Sequence, residues 1–409
     1  MNRFRAAAAV VLAAVLVGVG IPRGTSAVVT QTVTIGTNTH LVVTYRGNGH
    51  GHGMSQYGAL GAANAGLLYP SILFFYYPHT ALTVASPSAR IRVLISGVGT
   101  ATTVAADGNL VVTGVTGALP TTGIAKYRLV ANSASGLTLQ KLATTSGATW
   151  QNVKTGLANN AEFRHTNGAS VRLYRTDGTS TRYLGVLRAV RASATGTSGG
   201  VHTVNRVTYD QYAMGVTPRE VSASWPAAAV DAQAVAARTY GDYAVHNPAR
   251  SYYDICDSSS CQVYGGHVHY NADGTIAYRD LPKAATDTSN QILQYNAGPV
   301  FAQFSASNGG WTVSGGQPYL VAKQDPYDTA PTDPYIGAKK TITVASLAAS
   351  FGLPKLTKLV ITRDGNGTWG GRVLTVTGFN GTTAVKMDGS SLQSALGLGT
   401  TWVQLTPSA

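Results

Sequence analysis

The chain holds only two glutamates, Glu162 and Glu220. Cleaving a glycosidic bond needs a carboxylic acid that is still protonated near neutral pH, so that it can give a proton to the leaving oxygen. Glu220 is the better candidate. It lies in Thr217-Pro218-Arg219-Glu220-Val221, close to Trp225, and a carboxyl group walled by apolar side chains resists ionisation. Moving a glutamate from about 4.3 to about 6.5 takes roughly 3 kcal/mol of differential stabilisation. The opposing reading is a helix-entry glutamate ahead of the Ala-rich stretch that follows, where the helix dipole would favour the ionised form. Glu162 lies among polar residues in a β-rich stretch and is expected in solvent.

Several other residue types near Glu220 have chemistry to offer. Tyr209, Tyr212, Tyr240, Tyr243, Tyr252, Tyr253 and Tyr264 follow or precede it closely, and their faces suit either sugar rings or core packing. Arg238 can orient Glu220 or grip a substrate carboxylate, or it can pair with Asp242 or Asp231. The segment from Arg46 to Ala59 alternates glycine with His50 and His52 before Met54-Ser55-Gln56-Tyr57. Alternating glycines allow close backbone approach, and no Lys-Ser/Thr pair follows to make it a phosphate loop. The two histidines suit a packing or glycan-contact role better than a metal site, since no third ligand is near. Cys256 and Cys261 are the only cysteines. Outside the cytoplasm they read as a disulfide closing a short loop, worth about 2 kcal/mol. Zinc with His246 or His267 is the weaker alternative.

The elements that must position these residues are mostly strands. Arg90–Ser96, Leu110–Thr113, Ser170–Arg175 and Tyr183–Ala192 are β-branched or alternating runs. Helices are expected at Pro226–Val245, with Ser224 as its cap, at Met54–Gly66, at Ser71–Tyr77 and at Ser391–Leu396. The fold class is α+β, predominantly β. No internal repeat or long linker interrupts it.

The first residues set the compartment. Basic Asn2-Arg3-Phe4-Arg5 precedes an uncharged run from Ala6 to Ile21, and small residues follow at Thr25-Ser26-Ala27. This is the layout of a secretory leader, short for a membrane span of roughly 20 residues; an uncleaved membrane anchor is the rival reading. The mature protein is expected from about Val28, outside the cytoplasm, with its net charge falling from +13 to +10. A basic exported protein meets anionic wall polymers first, and no nucleic-acid-binding module is recognisable.

Several segments in order resemble the SpoIID/LytB family of sporulation protein D and amidase-enhancer proteins. They start around Asn205 in VNRVTYDQYAMGVTPREV. They continue through Trp225-Pro226, Asp231 to Tyr240, Tyr253 to Asp257, Cys261 to Gly266, Phe304 to Gly310 and Pro318 to Val321. The resemblance covers roughly half the chain. It implies lytic transglycosylase-like cleavage of peptidoglycan, with Glu220 as the single acid/base and a 1,6-anhydro sugar as product. It also implies a substrate groove lined by Gln233, Arg238, Tyr264, Ser305, Ser307, His50, His52, Gln56 and Tyr57. The alternative it carries is a non-catalytic glycan binder that enhances a separate cell-wall amidase. The family's cysteine pair binds zinc in some members, but Ser260 and the lack of an adjacent histidine speak against that here, and no cofactor is expected. One departure stands out. The Gly-His-Gly-x-Gly-Met-Ser-Gln-Tyr-Gly-Ala segment usually follows the catalytic region, whereas here its counterpart, His50 to Ala59, comes first. The strand and helix that usually precede it resemble residues 371–405. A circular permutation is the expectation, with residues 28–85 completing a core formed by 201–409 and a β-rich region, 86–200, between them.

Overall fold

The computed structural model describes residues 27–132, 136–191 and 200–409. The expected leader, residues 1–27, falls outside these apart from Ala27. As expected, the fold is α+β and mostly β.

Three cores organise the described residues. The first lies between two sheets. One has six strands, in the order Ile255–Cys256, Arg90–Ile95, Val201–Thr208, Val186–Arg191, Glu162–His165 and Leu110–Val112. The other has eight, running from Gln151–Leu157 at one edge to Val268–Tyr270 and Ile276–Arg279 at the other. Arg90–Ile95 shows why such runs become strands: every second residue (Ile91, Val93, Ile95) is buried and the residues between are not. Both sheets draw strands from either side of residue 200, and Val201–Thr208 pairs with Val186–Arg191 and with Arg90–Ile95. The β-rich region therefore continues into the segment that bears Glu220. The run expected as one strand over Tyr183–Ala192 is broken. Gly185 turns the chain at φ +72°, and a Cβ there would lie 2.3 Å from the Arg206 carbonyl oxygen.

The second core is helical. Helix α1 (Gln56–Asn64) and helix α2 (Tyr69–Tyr76) pack on the long Ala-rich helix α4 (Ala227–His246), and α3 (Tyr209–Glu220) lies along α4 too. Alanine is what α4 needs, because it is buried on almost every side. Ala232 and Ala236 meet Met54, Ala59 and Leu73, Ala234 meets Val221, and Ala237 and Ala244 face the sheets. Ser224 does not cap this helix. Pro226 holds the cap position without a side-chain bond, and Ser224 bonds Ser222 instead.

The third core joins distant parts of the chain. Strand His40–Tyr45 is the middle of a three-stranded sheet, between Ala338–Thr343 and Val403–Ser408. Val29–Thr34 pairs with Lys358–Arg363 in a four-stranded sheet, and helices Val344–Ser350 and Gly389–Leu396 close the module with Leu347, Leu392 and Leu396.

Candidate functional site

Glu220 is the last residue of α3, a helix not expected from the sequence. Thr208 and Gln211 form a reciprocal capping box at its start, which replaces the expected loop into the Ala-rich helix. Glu220 thus sits at a helix C-terminus rather than a helix entry, and the dipole there opposes ionisation. Its pKa is raised, chiefly because the carboxyl is withdrawn from water. Hydrogen bonds from Gln56 and from the Val263 backbone, and the nearby Arg219 charge, pull in the other direction without winning.

Gln56 comes from the opposite end of the fold. Its Nε2 donates to Glu220 Oε2 at 3.2 Å and to Gln233 Oε1 at 3.4 Å, which ties α1, α3 and α4 together at one point. The Gly-His segment delivers it. Met54–Ser55 pairs in parallel with Phe304–Ser305, Ser55 caps α1, and Gln56 follows. The approach demands glycine at position 53, where φ is +62° and a Cβ would lie 2.1 Å from the Gln303 carbonyl oxygen.

Beside Gln56, half-buried Tyr57 packs against Trp225, centroids 5.3 Å apart, and meets Tyr335 edge-on at 5.8 Å. The three half-exposed rings form a row suited to sugar faces. Tyr335 was not expected here. It lies 115 residues beyond Glu220 in sequence, and nothing local to it marks a site.

The other expected groove residues divide. His50 and His52 stack at 4.9 Å, and the His52 N–H donates to His50 Nδ1 at 3.0 Å. His50 keeps an exposed edge, but desolvation, followed by His52, draws its pKa down to about 4, so it is neutral at pH 7. Ser305 accepts from the Gly51 N–H at 3.2 Å. Ser307 is fully buried, with its hydroxyl in hydrogen-bond contact with Asp328 and Asp333. Gln233 is also fully buried and reaches the site only through Gln56.

Two further expected groove residues also belong to the interior. Arg238 is 0% exposed. It pairs with Asp210 at 2.8 Å and donates to the Gln291 and Ala285 carbonyls. Neither Glu220, Asp242 nor Asp231 is its partner, and it presents nothing to a ligand. Tyr264 is 3% exposed, stacks on Tyr212 at 5.4 Å and donates to Asn205 at 2.7 Å. It is a core residue. Glu162 is not free in solvent either, since Arg188 and Arg206 both pair with it. Cys256 and Cys261 form the expected disulfide. Among the described residues no cluster of three or more His, Cys, Asp or Glu could hold a metal ion.

A buried carboxylate cluster is only faintly marked in the sequence. Asp325, Asp328 and Asp333 are each no more than 2% exposed. Asp328 Oδ2 accepts from Ser55 and from the backbone of Asn308 and Gly309. Asp325 accepts from Tyr76 and Asn308. Burial, followed by Asp333, pushes Asp328 well above the carboxylate range. The Asp-x-x-Asp spacing in a Pro/Tyr-rich loop was the available signal. The cluster locks the Ser-Asn-Gly-Gly turn at 307–310 against the start of α1, and so fixes where Gln56 and Tyr57 stand.

Residues 197–295 match the SpoIID family, described as Stage II sporulation protein. That segment is similar to the SpoIID/LytB family. Among curated relatives, the amidase enhancer of Bacillus subtilis is 34% identical over 139 residues, covering 32% of this chain and 17% of that protein. Stage II sporulation protein D of the same organism is 29% identical over 167 residues, covering 37% and 48%. An uncharacterised protein of Brachyspira hyodysenteriae is 34% identical over 120 residues, covering 29% and 31%. The matches thus span under half the length of each of these relatives. No solved structure matches the chain.

Proposed function

We propose that this protein cleaves the glycan strands of peptidoglycan as a lytic transglycosylase. The observation that carries the reading is the Glu220 carboxyl, desolvated and raised in pKa at the end of α3 and held by Gln56 beside the row of Trp225, Tyr57 and Tyr335. Protonated Glu220 gives its proton to the oxygen between N-acetylmuramic acid and N-acetylglucosamine as the C1–O bond breaks. The carboxylate it becomes takes the proton of the muramyl C6 hydroxyl, whose oxygen closes on C1 to give the 1,6-anhydro ring. One carboxyl group completes the cycle. A hydrolase would need a second, and of the two nearest acids in sequence, Asp210 is engaged by Arg238, while Asp231 lies on α4 beside Lys283 and Asp287.

The same reading makes this an exported wall protein, in line with the leader-like residues 1–27. No described helix is long and apolar enough to cross a membrane. Nucleic acid has no place in the reading. A circular permutation accounts for the Gly-His segment arriving from before the catalytic region.

A second reading draws on the name of the Bacillus subtilis amidase enhancer: binding glycan to assist a separate cell-wall amidase, without cleavage. Product analysis by mass spectrometry separates the two. Residues 28–409 and the Glu220→Gln variant are incubated with peptidoglycan and with peptide-free strands. Anhydro-muramyl ends from the wild type alone are expected. Reducing ends would mean hydrolysis, and glycan binding without products would leave the enhancer reading.

A further inference from the structure

A separate cleft of about 320 Å³ borders Glu220 through two of its lining residues. One is Arg219, the neighbour of Glu220 in α3, and the other is Val263, whose backbone bonds the Glu220 carboxylate. The rest of the wall comes from other parts of the fold. Arg175 follows strand Val171–Tyr174, Asp257 sits in the disulfide loop, and His269 and Tyr278 lie on the hairpin of Val268–Tyr270 and Ile276–Arg279.

The charges in this cleft are not balanced. Arg175 is committed: it pairs with Asp257 at 3.7 Å and donates to Tyr183 Oη at 2.8 Å and to the Ser96 carbonyl. Arg219 is exposed and lies over the Tyr278 ring, 4.6 Å from its centroid. No carboxylate among the described residues is within ion-pair distance of it. His269 stacks on the same ring at 5.3 Å and meets Thr181 Oγ1 at 2.8 Å. Burial, with the two arginines after it, lowers the His269 pKa. The cleft therefore carries two guanidiniums against the one carboxylate of Asp257.

One surplus guanidinium, steadied on an aromatic face, matches a monoanion with two coplanar oxygens. A dianion such as phosphate would meet the Asp257 charge with only half its own compensated. We propose that this cleft is a carboxylate subsite, in which Arg219 grips an acid group of the substrate while Glu220 faces the adjacent sugar bond. The inference rests on the reading of Glu220 as glycan-facing. Peptidoglycan offers such a group in one of two places: the lactyl carboxylate of a muramyl sugar free of its stem peptide, or, where the peptide is attached, a carboxylate of the stem peptide itself.

The test is an NMR titration of residues 28–409, following the His269 ring and the Arg219 side chain. The probes are N-acetylmuramic acid, its methyl ester, N-acetylglucosamine and the dipeptide alanyl-glutamate. The proteins are the wild type, Arg219→Gln and Arg219→Lys; Arg219 is exposed, so neither change threatens folding. N-acetylmuramic acid is expected to move both signals and to bind roughly ten-fold more tightly than its ester. Arg219→Gln should reduce the acid to the level of the ester, and Arg219→Lys should restore part of the difference. The same pattern with the dipeptide in place of the sugar acid would assign the carboxylate to the peptide. Equal binding of acid and ester, an equal loss of both in Arg219→Gln, or no change at His269 with any probe would overturn the proposal. These titrations need no turnover, so binding of the acid by a protein that releases no products would overturn the cleavage reading alone.

Discussion

At the scale of single residues, the proposed chemistry depends on how one carboxyl group is kept from ionising. Gln56 works against that, because its hydrogen bond favours the carboxylate, yet it also orients the group. Replacing it separates the two effects. In Gln56→Leu the Glu220 pKa should rise further, so the alkaline limb of kcat/KM against pH should move to higher pH. The loss of orientation should lower kcat roughly ten-fold. A pH–rate profile of anhydro-product formation reads both, and an alkaline limb moved to lower pH would contradict the role given to Gln56. Glu220 was legible in the sequence because the chain has one glutamate beside a tryptophan and another among polar residues. Arg238 was misread for the opposite reason. A helix arginine near a candidate acid looks available for binding, and only the fold shows Asp210 reaching it from α3. Arg238→Met should therefore act on stability. Leaving Asp210 without its partner should cost about 3 kcal/mol in urea unfolding, while glycan affinity per folded molecule stays the same.

At the scale of elements, the short disulfide loop is a brace with a definite load. Cys256 and Cys261 enclose Asp257, which accepts from the Ser96 N–H at 3.1 Å, and the chain then passes through Gln262 to Val263 at the Glu220 carboxylate. Cys256→Ser/Cys261→Ser should lose about 2 kcal/mol of stability, read by denaturant unfolding, and should lower kcat more than its effect on KM. A variant with unchanged unfolding would remove the brace from the account. The strands and the Ala-rich helix were readable because burial follows their periodicity. Helix α3 was not, since Gly215, Thr217 and Pro218 lower its propensity and packing on α4 overrides them. Tyr335 and the Asp325–Asp333 loop were hidden for another reason: their roles exist only through contacts made across hundreds of residues.

At the scale of the whole molecule, the buried acid cluster ties stability to pH. Asp328 holds its proton in the folded state well above the range in which the unfolded chain releases it. The folded state therefore binds more protons over that interval. Its stabilising contribution is fully present only below the unfolded carboxylate range, under about pH 4, and falls steadily as the pH rises until the folded Asp328 ionises at about 8. Thermal unfolding should give a higher Tm at pH 5 than above pH 8, and Asp328→Asn should flatten this slope. A Tm that rises with pH through the same window would exclude a protonated Asp328. The permutation is tested at this scale as well. Residue 408 pairs with His40, so a chain reordered to begin at Val201, run to 409 and continue through a short Gly-Ser link into 28–191 should fold cooperatively with the same fluorescence spectrum. A reordered chain that fails to fold would count against it.

Strand His40–Tyr45 sets a sequence of events during synthesis. Both of its neighbours, Ala338–Thr343 and Val403–Ser408, are made some three hundred residues after it, so the strand waits with both edges bare while most of the chain is translated. The Gly-His loop hangs directly from this strand, and Gln56 reaches Glu220 only when that loop is anchored. A nascent or truncated chain thus carries Glu220 without the means to aim it. On the cleavage reading, Glu220 is aimed only after strand Val403–Ser408 has been made and paired.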